Sequence, residues 1–341
     1  MFRVTSALVT LAGIFAWSIN VRAGVVIETV TVRNPGNSGE LSGACVPGGE
    51  GPCRECGAVD YVYNLGKFQV TAGQYSEFLN AVAATDPHGL YNIDMWGIEA
   101  GCKIQRTGSS GSYSYSVAPD WADRPVNYVS WADAARFCNW LHNGRPDGAQ
   151  DLTTTEDGSY YLGPLMAVAR EPDATWVIPS EDEWYKAAYH YNDGVTGNYY
   201  DYPTSSDSLP SNDLVEPTDP GNNATFYITA GGDWTIGSPY YRTVVGAHEN
   251  SDSPYGTFDQ GGNLWEWNEA VLNGSSLRGI RGGSFANADT TLHAANREGD
   301  FPDSNFADLG FRVAQVPEPV TLSLLAVGAI LLAKRRQPST V

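Results

Sequence analysis

The chain has 341 residues, enough for one large domain with terminal segments to spare, and 42% of them are hydrophobic, which excludes a broadly disordered chain. Its 39 acidic against 20 basic side chains leave a formal charge of −19, a polyanion repelled by phosphate backbones and anionic lipid; nucleic acid is excluded as a partner, and a divalent cation becomes a natural one. Charged residues are sparse at 17% while Gly (37), Tyr (19) and Trp (10) are plentiful, which predicts a loop-rich fold with much of its polar bonding made by Tyr, Trp, Asn, Ser and backbone.

Residues 1–23 carry a basic start (Arg3), an apolar run over 4–19 and a small residue, Ala23, before Gly24. That is the pattern of a signal peptide, and it predicts export and cleavage by signal peptidase. Residues 24–57 read as an N-terminal strand over 24–33 and a Cys/Gly-rich loop over 34–57. A strand is expected over 61–70, then a helix capped by Thr71 with Tyr75, Phe78, Leu79 and Val82 on one face. A loop follows, with Cys102 and a Ser/Gly/Tyr tract over 107–116. A second helix is capped by Ser130 and shares an apolar face of Ala134, Phe137, Cys138 and Leu141. A short strand over 176–178 leads to a third helix, capped by Ser180 with Glu183 closing a capping box. Residues 191–259 are mostly Gly, Asn, Asp, Pro, Ser and Tyr without long periodicity, and the expectation is that a ligand or metal orders them.

The five cysteines are Cys45, Cys53, Cys56, Cys102 and Cys138. An odd count leaves at least one thiol unpaired if the others bridge. Cys53-Arg54-Glu55-Cys56 is a C-x-x-C open to three readings: a redox pair, half a zinc site, or part of a disulfide framework. Export favours disulfides within the loop, and the spacing does not fix their connectivity. The five histidines (His88, His142, His190, His248, His293) show no metal-ligand spacing and read as structural, with His293 the one worth testing.

The C-terminal segment, 316–341, runs Val316-Pro317-Glu318-Pro319, a charge-free stretch to Ala333, then Lys334-Arg335-Arg336. The stretch is short for a membrane helix, and the basic cluster fits a cytoplasmic stop. The arrangement resembles the PEP-CTERM sorting signal, and the resemblance implies an inner-membrane-anchored intermediate, cleavage by an exosortase-type protease, and release to the cell surface, envelope or extracellular matrix. An ordinary C-terminal membrane helix is the alternative.

Over residues 58–315 several segments together resemble the formylglycine-generating enzyme family, or sulfatase-modifying factor domain. They are Gln69-Val70-Thr71 with Gln74-Tyr75 and Phe78-Leu79; Pro125-Val126 with Val129-Ser130-Trp131; Pro179-Ser180-Glu181 with Glu183-Trp184; Gly262-Asn263-Leu264-Trp265-Glu266-Trp267; Arg281-Gly282-Gly283-Ser284-Phe285; and Asn296-Arg297 with Leu309-Gly310-Phe311-Arg312. The resemblance implies an α+β, C-type-lectin-related single domain, loop-rich with little regular secondary structure. It implies structural calcium in the loop over 258–267, held by the side chains of Asp259 and Glu266 and the carbonyls of Gly262 and Leu264, a donor set that suits a hard cation. A second calcium would involve Asn222 or Asn223.

In the enzymes of this family two cysteines follow the Arg-Gly-Gly-Ser segment, bind copper(I), and oxidise a sulfatase cysteine to formylglycine. Here the stretch from Phe285 to Arg297 contains no cysteine. Soft copper(I) needs sulfur donors, so copper is not expected and no catalytic residue is assigned. Arg281, Arg297 and Arg312 are expected to be buried partners of carboxylates rather than a ligand clamp. Two functions stay open: an exported binding or structural module that holds glycan, peptide or matrix, and an oxidoreductase of the same family with displaced catalytic residues. The missing cysteine pair favours the first.

Overall fold

The computed structural model describes residues 24–317, apart from 164–167, 216–217, 230 and 273–275. The segment expected to be a signal peptide and nearly all of the one expected to be a sorting signal lie outside the described residues. Among the described residues no helix is long and apolar enough to cross a membrane.

The elements follow the local sequence closely where a cap or an apolar stripe dictates them. β1 (Thr29–Val32) is the paired part of the strand expected over 24–33, and the loop expected over 34–57 contains a two-stranded ribbon of β2 (Glu40–Ser42) and β3 (Arg54–Cys56). A disulfide joins Cys45 to Cys53 beside this ribbon, and Cys56, Cys102 and Cys138 are free and buried. β4 (Tyr63–Gly66) leads into α1 (Ala72–Val82), where Thr71 and Gln74 form a reciprocal capping box. The region read as plain loop contains one turn, α2 (Asp94–Gly97), and a hairpin of β5 (Ile104–Thr107) and β6 (Ser114–Val117). The Arg106 guanidinium lies 4.7 Å from the Tyr91 ring and 4.5 Å from the Tyr113 ring, a cation–π clasp that no apolar periodicity announces.

α3 (Trp131–His142) starts at Ser130 with Asp133 as reciprocal partner, β7 (Trp176–Val177) is the expected short strand, and α4 (Glu181–Tyr189) has the Ser180–Glu183 box. The chain then runs through β8 (Tyr227–Ile228), β9 (Asp233–Trp234), β10 (Trp265–Leu272) and β11 (Leu277–Arg281). A 3-10 turn (Asp289–Leu292) precedes β12 (Glu298–Asp300), β13 (Leu309–Gly310) and β14 (Ala314–Gln315).

Two four-stranded sheets organise the molecule, one ordered β1-β4-β14-β7 and the other β12-β11-β10-β13. The first is antiparallel throughout; in the second β10 pairs antiparallel with β11 and parallel with β13. The core forms where α1 and α3 meet: Phe78 and Phe137 are edge-to-face at 5.3 Å and Phe137 and Phe311 at 5.4 Å, while Phe78 and Trp140 are tilted at 5.2 Å. Each such side chain contributes about 1.5–3 kcal/mol by leaving water. The aromatic surplus in the composition is spent here.

Among the described residues of 191–259, polar side chains tie the loops to one another. Asp219 is the hub. Its carboxylate accepts from the Ser251 hydroxyl, the N–H groups of Gly221 and Asn250, and the Asn223 amide. Burial acts to raise its pKa, but these donors outweigh it and hold the group below its ordinary value.

Candidate functional site

Asp259, Gly262 and Asn263 all take positive φ (59°, 79° and 61°), which curls the loop ahead of β10. Gly262 is obligatory, because a Cβ there would lie 2.1 Å from the Thr225 carbonyl oxygen. The curl brings three oxygens of the loop to one point, the carbonyls of Asp259 and Leu264 and Oε1 of Glu266. That point is occupied by Gln69 Nε2, at 3.2, 3.0 and 3.0 Å respectively.

Glu266 is fully buried on β10, and it also accepts Arg312 Nε at 2.5 Å, Arg312 Nη2 at 2.6 Å and the Trp184 indole N–H at 2.7 Å. Asp259 accepts the Gly246 N–H at 2.7 Å; burial pushes its carboxyl up to about 6, against the pull of that bond and of Arg312. Gly262 donates its N–H to Gly282. Among the four residues expected to hold calcium, the carboxylate of Glu266 therefore has its acceptor positions filled by an arginine, a tryptophan and an amide. A calcium ion at the convergence point meets the Gln69 amide nitrogen, which is a donor and not a ligand. As placed, the Gln69 amide nitrogen closes this point, and Gln69 Oε1 is buried without a partner. Asn223 and Asp259 line one small cavity of about 10 Å³, and the Asn222 amide oxygen accepts from Thr204. Gln69 gave no signal of this role in the sequence; Arg312 was legible as a carboxylate partner.

The arginines expected to pair do so. Arg281 and Arg297 both bind Glu181 at the start of α4, Arg297 Nε at 2.6 Å and Arg281 Nε at 2.9 Å, and Arg54 adds a third contact at 3.0 Å. Each histidine has its own partner: Glu156 for His88, Thr175 for His142, Tyr255 for His190, Thr225 for His248 and Asp201 for His293. No group of three or more His, Cys, Asp or Glu among the described residues could hold a metal ion.

The stretch from Phe285 to Arg297 follows β11 and the turn of Gly282-Gly283. Ser284 Oγ donates to Asn287 Oδ1 at 2.5 Å and to Asp308 at 3.2 Å, and the Asn287 carbonyl accepts the Tyr227 N–H. The residues around it form a ledge of rings. Tyr227 and Trp234 stand 4.6 Å apart, Trp234 and Tyr241 5.4 Å, and Tyr241 and Phe285 5.8 Å. Trp234 is exposed on the β8–β9 hairpin, with Tyr227 and Tyr241 half-buried beside it. Next to the ledge Arg242 is fully buried, 5.8 Å from the Phe285 ring and 5.9 Å from the Trp121 ring. The sequence reading missed this ledge, because Tyr227, Trp234 and Tyr241 come from a region without periodicity and meet Phe285 only through the fold.

The free thiols do not gather here as a pair. Cys138 packs on the apolar face of α3, and burial raises its pKa well above the ordinary thiol range. Cys56 lies 3.3 Å from Arg281 Nη2, and burial pushes it to about 11. Cys102 is raised by burial, with Arg242 pulling the other way.

Residues 38–317 match the family described as Sulfatase-modifying factor enzyme 1-like domain. The mouse (Mus musculus) protein "Inactive C-alpha-formylglycine-generating enzyme 2" is 26% identical over 197 residues, which is 56% of this chain and 48% of that protein; the chain spans about half the length of that curated relative. Among solved structures, Treponema denticola variable protein 1 superposes with a TM-score of 0.51 at 18% identity, covering 86% of this chain and 97% of the other. CarF is also similar in shape, at a TM-score of 0.49, 18% identity, and 86% and 99% coverage. The segment order, the loop-rich α+β fold and the family match agree: this chain belongs to the sulfatase-modifying factor (formylglycine-generating-enzyme-like) family.

Proposed function

We propose that this chain is a non-oxidising, ligand-binding member of its family, exported and sorted to the cell surface. The observation that carries the reading is the stretch after Arg281-Gly282-Gly283-Ser284, which offers Asn287, Asp289, Thr290, Thr291 and His293 and no thiol. These donors are hard or intermediate, whereas copper(I) is held by sulfur. The three free cysteines are buried, with thiol pKa values above the ordinary range, which disfavours the thiolate that binds metal or attacks a substrate sulfur. The name of the mouse relative, which calls that protein inactive, supports the same reading. Exposed Trp234 and half-buried Tyr227 and Tyr241, backed by buried Phe285, form the surface that would meet the ligand, a glycan, peptide or matrix component.

The second reading, an oxidoreductase with displaced thiols, draws on Cys102, whose thiolate form Arg242 favours. One assay separates the two. Copper-loaded full-length protein is incubated with a Cys-x-Pro-x-Arg peptide, and the product is examined for aldehyde by mass spectrometry. No aldehyde is expected; turnover that vanishes in Cys102→Ser restores the enzyme. The sorting part of the proposal rests on the terminal sequences. Intact mass of protein recovered from the native envelope is expected to show a chain starting near Gly24 and ending near Pro317, the product of signal peptidase and an exosortase-type protease, and a retained tail replaces sorting with a permanent anchor.

A further inference from the structure

Lys103, Arg124 and Arg242 gather round one ring, with their charged ends 5.6, 6.0 and 5.9 Å from the Trp121 centroid. In a chain with nearly two acids per base, a carboxylate partner is the expectation for each, as Arg136, Arg170 and Arg312 illustrate. Among the described residues these three have none, and they donate to main-chain carbonyls instead. Lys103 bonds Trp96 and Ile98, Arg124 bonds Asp120 and Arg242, and Arg242 Nη1 bonds Ala100 and Ala307.

Arg242 is fully buried, yet its Nε and Nη2 have no partner. Buried donors are satisfied in folded proteins, by the chain itself, by ordered water or by a bound ligand. Nε and Nη2 form one edge of the guanidinium, the edge whose two parallel N–H groups match the two oxygens of a carboxylate. Burial lowers the pKa of all three cations, that of Arg242 to about 10 with Arg124 adding to the effect, while Glu99 acts on Lys103 and Asp120 on Arg124 in the other direction without closing an ion pair. The Phe285 end of the ring ledge adjoins Arg242 at 5.8 Å.

We propose that Lys103, Arg124 and Arg242 form an anion subsite that receives the carboxylate of a ligand whose ring rests on the neighbouring ledge, the chemistry of a uronate sugar. The subsite deepens the binding-module reading and rests on it. The acidic surface does not oppose a single carboxylate as it opposes a polyelectrolyte, because at physiological salt charges beyond about 8 Å are largely screened.

The test is thermal unfolding and titration calorimetry of the full-length protein with sodium glucuronate, glucose, sodium acetate, and sodium chloride at matched ionic strength. Glucuronate is expected to raise the melting temperature, and glucose and chloride to leave it unchanged. Acetate separates the sources: a shift equal to that of glucuronate assigns the site to free carboxylates, and a smaller one to a carboxylate carried on a sugar. Arg242→Gln is expected to abolish the response. Lys103→Gln, at the half-buried edge of the cluster, is expected to weaken glucuronate binding at least threefold while the protein still unfolds cooperatively, which covers an Arg242 variant that does not fold. No response to glucuronate, an equal response to chloride, or unweakened binding in Lys103→Gln overturns the subsite. A response to glucose equal to that of glucuronate, and lost in Trp234→Ala, overturns the subsite while the binding-module reading stands.

Discussion

Glu181 carries three guanidiniums at once, those of Arg281, Arg297 and Arg54. Burial alone would raise its pKa, but Arg281, Arg297 and Arg54 outweigh burial and hold it at about 2. Removing the carboxylate charge leaves two guanidiniums buried without compensation, the situation in which a broken ion pair costs most. Glu181→Gln is therefore expected to destabilise the fold by about 3–5 kcal/mol, read by equilibrium denaturation; a loss below about 1 kcal/mol contradicts the account. That arginines in so acidic a chain would be buried and paired was legible from charge scarcity. Their convergence on Glu181 was not, because the partners lie 100 and 116 residues away from it.

At the scale of elements, the three long helices were legible because each begins with a Ser or Thr cap whose partner sits three residues on, and each carries an apolar stripe. The β5–β6 and β8–β9 hairpins were not, since their strands are short, polar and held by ring contacts with distant residues. The loop ahead of β10 is the instructive mixed case. Its curl follows from the glycines, and its oxygens do converge as a cation loop requires, yet the Gln69 amide stands at the centre. The expected result is that chelator and millimolar calcium give the same melting temperature for the full-length protein. Gln69→Glu, which adds a carboxylate facing Glu266, is expected to make the melt rise with calcium. A chelator-induced drop in the unmodified protein puts calcium back in the loop.

For the whole molecule, opposed carboxylates set the pH profile. Burial raises Asp133 and Asp259 from 3.8 to about 6, so their contribution is full below about 3.8 and is lost as pH rises through 6. Glu181 is depressed from 4.5 to about 2, and its contribution is full above 4.5 and lost as pH falls toward 2. Stability is expected to rise from pH 7 to about 5 and to fall below about 4, which melting temperatures across that range will check; a flat profile contradicts it. The first sheet has a further consequence, for the order of assembly. β4 lies between β1, some thirty residues before it, and β14, some 250 residues after it, and β14 in turn supplies the partner of β7. A nascent chain that ends short of residue 309 has an open edge on β4, nothing beside β10 where β13 belongs, and Glu266 buried without Arg312. The core closes only once β13 and β14 are in place beside β10 and β4, so the long-range pairings, and not the local hairpins, are expected to set the pace of folding.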